Sequence, residues 1–147
     1  MADFDRPLDR RGHADAREVG VAMAARGYLP ALVLCSAARR AHETWTGVVA
    51  GLGTEAADLR LEPALYNTDA RGYIEAIRAA GDEAGSLLLI GHNPTMEHTA
   101  CLLAPDGETR LDNGFPTAGL AVFAFDVPLS GIGPGAGTLE AFLRPGR

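Results

Sequence analysis

The chain has 147 residues, 13 basic residues that are all arginine, 19 acidic residues and a formal net charge of −6. This length is typical of one domain, residues 1–147, and 47% apolar with 22% charged residues argues against disorder. The acidic charge disfavours nucleic-acid binding. Without a secretory signal or a run of about 18 apolar residues, the sequence predicts a cytoplasmic protein that does not contact membranes.

The hydrophobic pattern predicts alternating helices and strands through most of the chain. Helices are predicted over residues 8–26, over 40–52, after a cap at Thr68 or Asp69, and after Pro94. Strands are predicted over 31–35, 59–65 and 87–90, and the continuous apolar runs at 31–35 and 87–90 indicate strands that are buried on both faces. Two cysteines in apolar contexts, Cys35 and Cys101, are expected to be free thiols.

The last part of the chain has a different pattern. Strands over 120–127 and 138–143 are separated only by a loop rich in proline and glycine, which favours antiparallel pairing. Alternating strands and helices followed by such a hairpin predict an α/β fold. We expect a three-layer sandwich with a mostly parallel central sheet and a C-terminal antiparallel hairpin.

Polar residues that suit a phosphoryl group follow two of the predicted strands. Ser36 and Arg40 come after the strand at 31–35, and His92 and Asn93 come after the strand at 87–90. In open α/β sheets, ligands bind beyond the carboxyl ends of the strands, where helix N-termini also point. Guanidinium and imidazole groups at that edge suit a phosphate dianion. By position alone, Arg40 could equally be a solvated helix residue and His92 a structural loop histidine.

The remaining cysteine and histidine residues are expected to have structural roles. A cysteine phosphatase needs a longer interval than the four residues that separate Cys35 from Arg40, so Cys35 is expected to be a small core residue. The other three histidines, His13, His42 and His98, lie on predicted helices among polar neighbours. No set of ligands has spacing that suits a metal, so we expect neither a metal nor another cofactor.

Four ordered motifs resemble those of a known enzyme family. They are Asp5-Arg6-Pro7-Leu8 with Gly12, Ser36-x-x-x-Arg40-Ala41-x-x-Thr44, Gly91-His92-Asn93-Pro94 and Phe115-Pro116-Thr117-Ala118. Together they resemble the histidine phosphatase superfamily, in particular the short SixA-like phosphohistidine phosphatases. The resemblance covers essentially the whole chain.

The resemblance implies a phosphoglycerate-mutase-like fold and a role in signal transduction. It implies a phosphatase that carries the phosphoryl group on a histidine, with a phosphohistidine-bearing protein or phosphate as the partner. Arg40 and His92 would be catalytic. Arg6, Arg40, Ser36, His92 and Asn93 would bind the phosphate. The oligomeric state is left open.

One departure from the family pattern concerns the nucleophile. The family places it in an Arg-His motif at the end of the first strand, and this sequence contains no Arg-His dipeptide. That strand would precede Asp3, so we expect the domain to be N-terminally incomplete and the chain itself to be inactive. A truncated product is favoured over a natural derivative. The alternative function is a non-catalytic module that binds phosphate or a phosphoprotein.

A second departure concerns the general acid. Many members of the superfamily carry a glutamate near the segment that corresponds to residues 65–68, where this chain has no carboxylate. Phosphohistidine needs less acid assistance than a phosphate ester, because a protonated imidazole leaves more easily than an alkoxide. The sequence therefore favours a phosphohistidine substrate, with a small phosphomonoester as the alternative.

Overall fold

The helices and strands of the chain occur in the predicted order. A computed structural model describes residues 1–54, 58–105 and 115–146. Its helices are α1 (Arg10–Arg26), α2 (Arg39–Leu52), α3 (Ala70–Ala80) and α4 (Thr95–Leu103), and its strands are β1 (Leu32–Ser36), β2 (Asp58–Glu62), β3 (Leu87–Ile90), β4 (Leu120–Phe125) and β5 (Gly137–Leu143). Each predicted element is confirmed, with bounds that move by up to three residues.

Capping residues explain where the helices begin and end. The Asp9 carboxylate accepts a hydrogen bond from the Gly12 amide at 2.7 Å, so α1 begins two residues after its predicted start. Asp69 caps α3 in the same way, through the Gly72 amide at 3.0 Å. Gly27 ends α1 with a φ of 75°, a left-handed conformation that glycine adopts without strain.

The central sheet has three parallel strands in the order β2–β1–β3. β1 is buried along its whole length, as predicted. Its side chains alternate between two cores: Val33 and Cys35 pack beneath α1 and α2, whereas Leu32 and Leu34 pack on the opposite face with α3 residues such as Tyr73. Helices therefore cover both faces of β1, which confirms the three-layer α/β class.

Helices α1 and α2 touch through their backbones. A Cβ atom on Gly20 would lie 2.1 Å from the Val48 carbonyl oxygen, and one on Gly51 would lie 2.1 Å from the Arg17 carbonyl oxygen. No larger residue fits at either position without moving a helix. The two glycines therefore fix the distance between α1 and α2.

The predicted strand over 59–65 is shorter in the structure. β2 ends at Glu62 because Pro63 begins a 3₁₀ turn, Pro63–Leu65, that redirects the chain and buries Leu65. Arg60 on β2 makes two hydrogen bonds to the Glu83 carboxylate, which tie this edge of the sheet to the segment after α3.

The C-terminal strands form a separate hairpin. β4 and β5 pair antiparallel, as predicted, with Leu120 opposite Leu143 and Phe125 opposite Gly137. In the described ranges neither strand pairs with β3. β3 packs on both faces, as predicted, but it is less buried than predicted, because all four of its apolar residues are only partly buried. Within the described residues β3 has a strand partner, β1, on one side alone.

Candidate functional site

Three of the residues predicted to bind phosphate meet at the carboxyl edge of the central sheet. Ser36 is the last residue of β1, Arg40 lies in the first turn of α2, and His92 follows the end of β3. Because β1 and β3 are parallel neighbours, their carboxyl ends bring these side chains to the same place. Sheet topology thus joins Ser36 to His92 across 56 positions of sequence.

The three side chains are linked by hydrogen bonds. Arg40 Nη2 lies 3.5 Å from His92 Nδ1, and His92 Nε2 lies 2.8 Å from Ser36 Oγ. Because a guanidinium only donates hydrogen bonds, Nδ1 is assigned as the acceptor and Nε2 as the nitrogen that donates to Ser36. Burial, together with the adjacent charge of Arg40, lowers the pKa of His92 from its ordinary value of 6.5. His92 is therefore a neutral imidazole at neutral pH.

Tyr73, a buried residue of α3, holds the backbone of His92 in place. Its hydroxyl accepts a hydrogen bond from the His92 amide at 2.9 Å and donates one to the Leu65 carbonyl at 3.3 Å. The glycine before the histidine is needed for this packing, because a Cβ atom on Gly91 would lie 2.4 Å from the Tyr73 hydroxyl oxygen. The Gly91-His92 pair is thus explained by close contact with α3.

The N-terminus of α2 adds to the positive character of the site. Its N-cap residue, Ala38, has no side chain that could accept a hydrogen bond from the helix. Ser36 Oγ accepts one from the Ala38 amide at 3.2 Å. Since the first turn of a helix carries partial positive charge, α2 and the guanidinium of Arg40 both favour an anion here.

Two residues that the sequence interpretation did not include, Asp3 and Tyr66, complete the cluster. Arg40 donates from Nη1 to the Asp3 carbonyl oxygen at 2.9 Å and from Nη2 to Asp3 Oδ2 at 3.2 Å. The Tyr66 hydroxyl donates to the same Oδ2 at 2.5 Å, and its ring meets the His92 ring edge to face at 5.6 Å. The N-terminal segment therefore occupies both terminal nitrogens of Arg40.

The contact between Asp3 and Tyr66 shifts both pKa values. The hydrogen bond from Tyr66, together with the charge of Arg40, lowers the pKa of Asp3 below its ordinary 3.8. The same hydrogen bond raises the pKa of Tyr66 above its ordinary 10. At neutral pH Asp3 is thus a carboxylate and Tyr66 a neutral phenol. Asp3 is an anion in direct contact with the guanidinium that is predicted to bind phosphate.

The other two predicted phosphate contacts, Arg6 and Asn93, point elsewhere. Arg6 is exposed, and its Nη1 lies 3.5 Å from Asp3 Oδ1, so it reaches Arg40 only through Asp3. The exposed Asn93 donates from its amide to the Phe115 carbonyl at 2.7 Å. Both side chains would have to turn before they could join Arg40 around a ligand, and their phosphate binding stays a prediction.

The remaining histidines and cysteines lie outside this cluster. His13, His42 and His98 are exposed on α1, α2 and α4, and Cys35 is a buried free thiol. Burial raises the pKa of the Cys35 thiol to about 12. A buried thiol that stays protonated at neutral pH is a poor nucleophile, which argues against the cysteine phosphatase alternative. No three potential metal ligands converge within residues 1–54, 58–105 and 115–146.

Known sequences include relatives across most of the chain, although no family model matches it. An uncharacterized protein of Mycobacterium tuberculosis is 37% identical over 99% of this chain and 92% of its own length. An uncharacterized protein of Mycobacterium leprae is also 37% identical, over 83% of this chain and 76% of its own length. An uncharacterized chloroplastic protein of Arabidopsis thaliana is 30% identical over 71% of this chain and 51% of its own.

Solved structures identify the family. A protein of Agrobacterium tumefaciens that is assigned as the phosphohistidine phosphatase SixA has a TM-score of 0.84 at 33% identity, over 99% of this chain and 87% of that one. The chain belongs to the histidine phosphatase superfamily, in its SixA-like branch. The protein histidine phosphatase SixA in complex with tungstate has a TM-score of 0.80 at 25% identity, over 99% of this chain and 88% of that one.

Membership of the SixA-like branch places this chain in a family of phosphatases and confirms the predicted resemblance. The tungstate complex of the related SixA shows that this fold holds an oxyanion in that protein. In the part of this SixA-like chain that the structure describes, no helix is both long and apolar enough to cross a bilayer.

Proposed function

We propose that this SixA-like protein is a metal-independent phosphatase that acts on phosphohistidine and binds the phosphoryl group between Ser36, Arg40 and His92. The observation that carries the proposal is the 3.5 Å contact between a guanidinium and an imidazole at the carboxyl ends of two parallel strands. A guanidinium donates two parallel hydrogen bonds to phosphoryl oxygens. Stabilising charge on those oxygens is the main task in phosphoryl transfer.

The proposed reaction passes through a phosphohistidine on the enzyme, which water then hydrolyses. His92 is poorly suited to be that nucleophile, because Arg40 and Ser36 engage its two ring nitrogens. The other three histidines are exposed on helices. We therefore assign the nucleophile to a histidine outside residues 1–147, on the Arg-His strand that the family resemblance implies. Residues 1–147 alone would then bind a phosphoryl group without turnover.

The ionised state of Asp3 supports phosphohistidine as the substrate class. Asp3 is a carboxylate in direct contact with Arg40, and its lowered pKa keeps it ionised, so it has no proton to give to a leaving group. An alkoxide leaving group needs such a proton, whereas a protonated imidazole leaves without one. This argument favours a protein-borne phosphohistidine over a small phosphomonoester.

The absence of an Arg-His dipeptide from the 147 residues favours a second candidate function. In that alternative the protein binds phosphate or a phosphoprotein through the same residues and catalyses nothing. The two candidates share the site and differ in whether a histidine outside these residues completes it.

The deciding experiment compares residues 1–147 with a chain that also carries the residues encoded directly upstream. Both chains are assayed for hydrolysis of a phosphohistidine-bearing domain and for tungstate binding by calorimetry. We expect both chains to bind tungstate and only the extended chain to hydrolyse phosphohistidine, with activity lost when its upstream histidine becomes alanine. Full activity in residues 1–147 would refute the nucleophile assignment. Binding without turnover in both chains would favour the non-catalytic module, and no tungstate binding in either would refute the site.

A further inference from the structure

One oxygen of the Asp3 carboxylate marks a position where two hydrogen-bond donors converge. Arg40 Nη2 donates to Asp3 Oδ2 at 3.2 Å, and the Tyr66 hydroxyl donates to the same oxygen at 2.5 Å. Carboxylate and phosphoryl oxygens are both anionic acceptors, and a guanidinium binds either of them in the same way. Since Arg40 is the arginine proposed to bind the phosphoryl group, the second donor on this oxygen lies where it can meet the same ligand.

The Asp3 carboxylate can leave this position without disturbing the core. Residues 1–7 are exposed, and the 3₁₀ turn Asp3–Asp5 contributes no buried residue. The ion pair between Asp3 and Arg40 is partly exposed to water, so it is weak. A phosphoryl dianion carries more negative charge than a carboxylate and is attracted more strongly to a guanidinium. Such a dianion can therefore displace Asp3 from Arg40.

Contacts outside the N-terminal segment hold Tyr66 at this position. Tyr66 directly follows the turn Pro63–Leu65, whose last residue is buried. The Leu65 carbonyl accepts a hydrogen bond from the Tyr73 hydroxyl, which also accepts one from the His92 amide. One buried hydroxyl thus links the turn before Tyr66 to the backbone of His92. The Tyr66 ring also meets the His92 ring at 5.6 Å, so the phenol stays beside the site when the carboxylate leaves.

We propose that the Tyr66 hydroxyl is a further phosphate-binding group, which donates a hydrogen bond to the phosphoryl oxygen that takes the place of Asp3 Oδ2 beside Arg40. This role rests on the proposed function, since it adds a contact to the same phosphoryl group. A neutral phenol suits the role, because it donates to an anionic oxygen without adding charge of its own. Contact with an anion also keeps the phenol protonated: the hydrogen bond to Asp3 raises the pKa of Tyr66 above its ordinary 10. Donors that are held in place beforehand are the ones that stabilise charge on phosphoryl oxygens.

A simpler role for Tyr66 would be to fasten Asp3 to Arg40. The two roles predict different effects when Tyr66→Phe removes the hydroxyl. If the tyrosine only fastens Asp3, its loss releases Arg40 and tightens anion binding. If the tyrosine binds the anion, its loss also removes a contact to the ligand. An Asp3→Ala background separates the two roles, because there the hydroxyl has no carboxylate to hold and can act only on the ligand.

Calorimetry with tungstate measures anion binding to the native chain, to Asp3→Ala, to Tyr66→Phe and to the double variant. In the Asp3→Ala background we expect Tyr66→Phe to raise the tungstate dissociation constant about 5- to 20-fold, as for the loss of one hydrogen bond to a charged group. Tyr28→Phe in the same background is the matched control. Tyr28 packs against the core beneath α1 and α2, and its variant should change the dissociation constant less than about twofold. Unchanged or tighter binding after Tyr66→Phe in the Asp3→Ala background would overturn the proposal.

A second measurement does not depend on the folding of the phenylalanine variant. The tyrosinate absorbance of the Asp3→Ala chain is titrated into the alkaline range with and without saturating tungstate. A hydrogen bond from Tyr66 to the anion should raise the pKa of one tyrosine when tungstate is present, and an unshifted titration would overturn the proposal. Arg40→Ala in the same background separates the two ideas. Tungstate binding that depends on Arg40 but not on Tyr66 refutes the role of Tyr66 alone, whereas no tungstate binding in any of the chains refutes the proposed function and this role with it.

Discussion

Replacing Asp3 with asparagine should tighten the binding of an oxyanion at Arg40. The Asp3 carboxylate lies 3.2 Å from Arg40 Nη2 and presents a negative charge where an oxyanion would bind. Asparagine keeps nearly the same shape but removes that charge. The backbone carbonyl of residue 3 still accepts from Nη1, so Arg40 should stay oriented while Nη2 becomes available.

The expected size of the effect follows from the exposure of the two side chains. Asp3 is 50% exposed and Arg40 is 30% exposed, so water and salt screen their attraction. Ion pairs of this kind are weak, and we expect the tungstate dissociation constant to fall about two- to fivefold. The gain should shrink when salt is raised from about 0.05 M to 0.3 M, because exposed charges are screened over a shorter distance.

Calorimetric titration with tungstate at pH 7.5 measures this change, and Asp5→Asn is the matched control. That variant removes the same charge two residues away, so it reports the effect of net charge without the contact to Arg40. Weaker tungstate binding in Asp3→Asn would show that the carboxylate helps to form the anion site. Equal gains in the two variants would show that the contact itself has no effect.

Three further predictions test other parts of the site. Arg40→Ala should weaken tungstate binding about 10- to 100-fold, whereas Arg39→Ala, which removes an exposed partner of Glu43, should change it less than about twofold; equal losses would place the wrong arginine in the site. Because the lowered pKa of His92 means that the unfolded chain binds more protons, the melting temperature should fall between pH 8 and pH 5 more steeply than in His92→Gln; identical slopes would contradict this. Iodoacetamide at pH 8 should leave Cys35 unmodified in the native chain and alkylate it after unfolding, as read by mass spectrometry; rapid native labelling would show that the thiol is accessible.

The part of the site that the sequence predicts follows from one rule of α/β folds. Ser36, Arg40 and His92 each follow a predicted strand, and parallel strands place their carboxyl ends at one edge of a sheet. The strands themselves were recognisable from short apolar runs. Such runs are reliable because apolar side chains must be buried, and the helices on both faces of the sheet bury them.

Contacts between distant residues could not be predicted in the same way. Tyr66 and Asp3 are 63 positions apart, and no local pattern shows that a tyrosine after β2 reaches the N-terminus. The available signal is weaker: Tyr66 also follows a strand end, in the segment where the family pattern places a carboxylate. The burial of β3 is overestimated from the sequence for a related reason. A run of apolar residues indicates that a strand is stable when buried, but it does not show which strands lie beside it.

The backbone contact between α1 and α2 has a mechanical consequence for the site. Gly20 and Gly51 leave no space between these helices. α2 carries Arg40 at its first turn, so the position of the guanidinium depends on how closely α2 packs against α1. A larger side chain at Gly20 or Gly51 would push the helices apart and move Arg40 relative to His92, although neither glycine lies in the site.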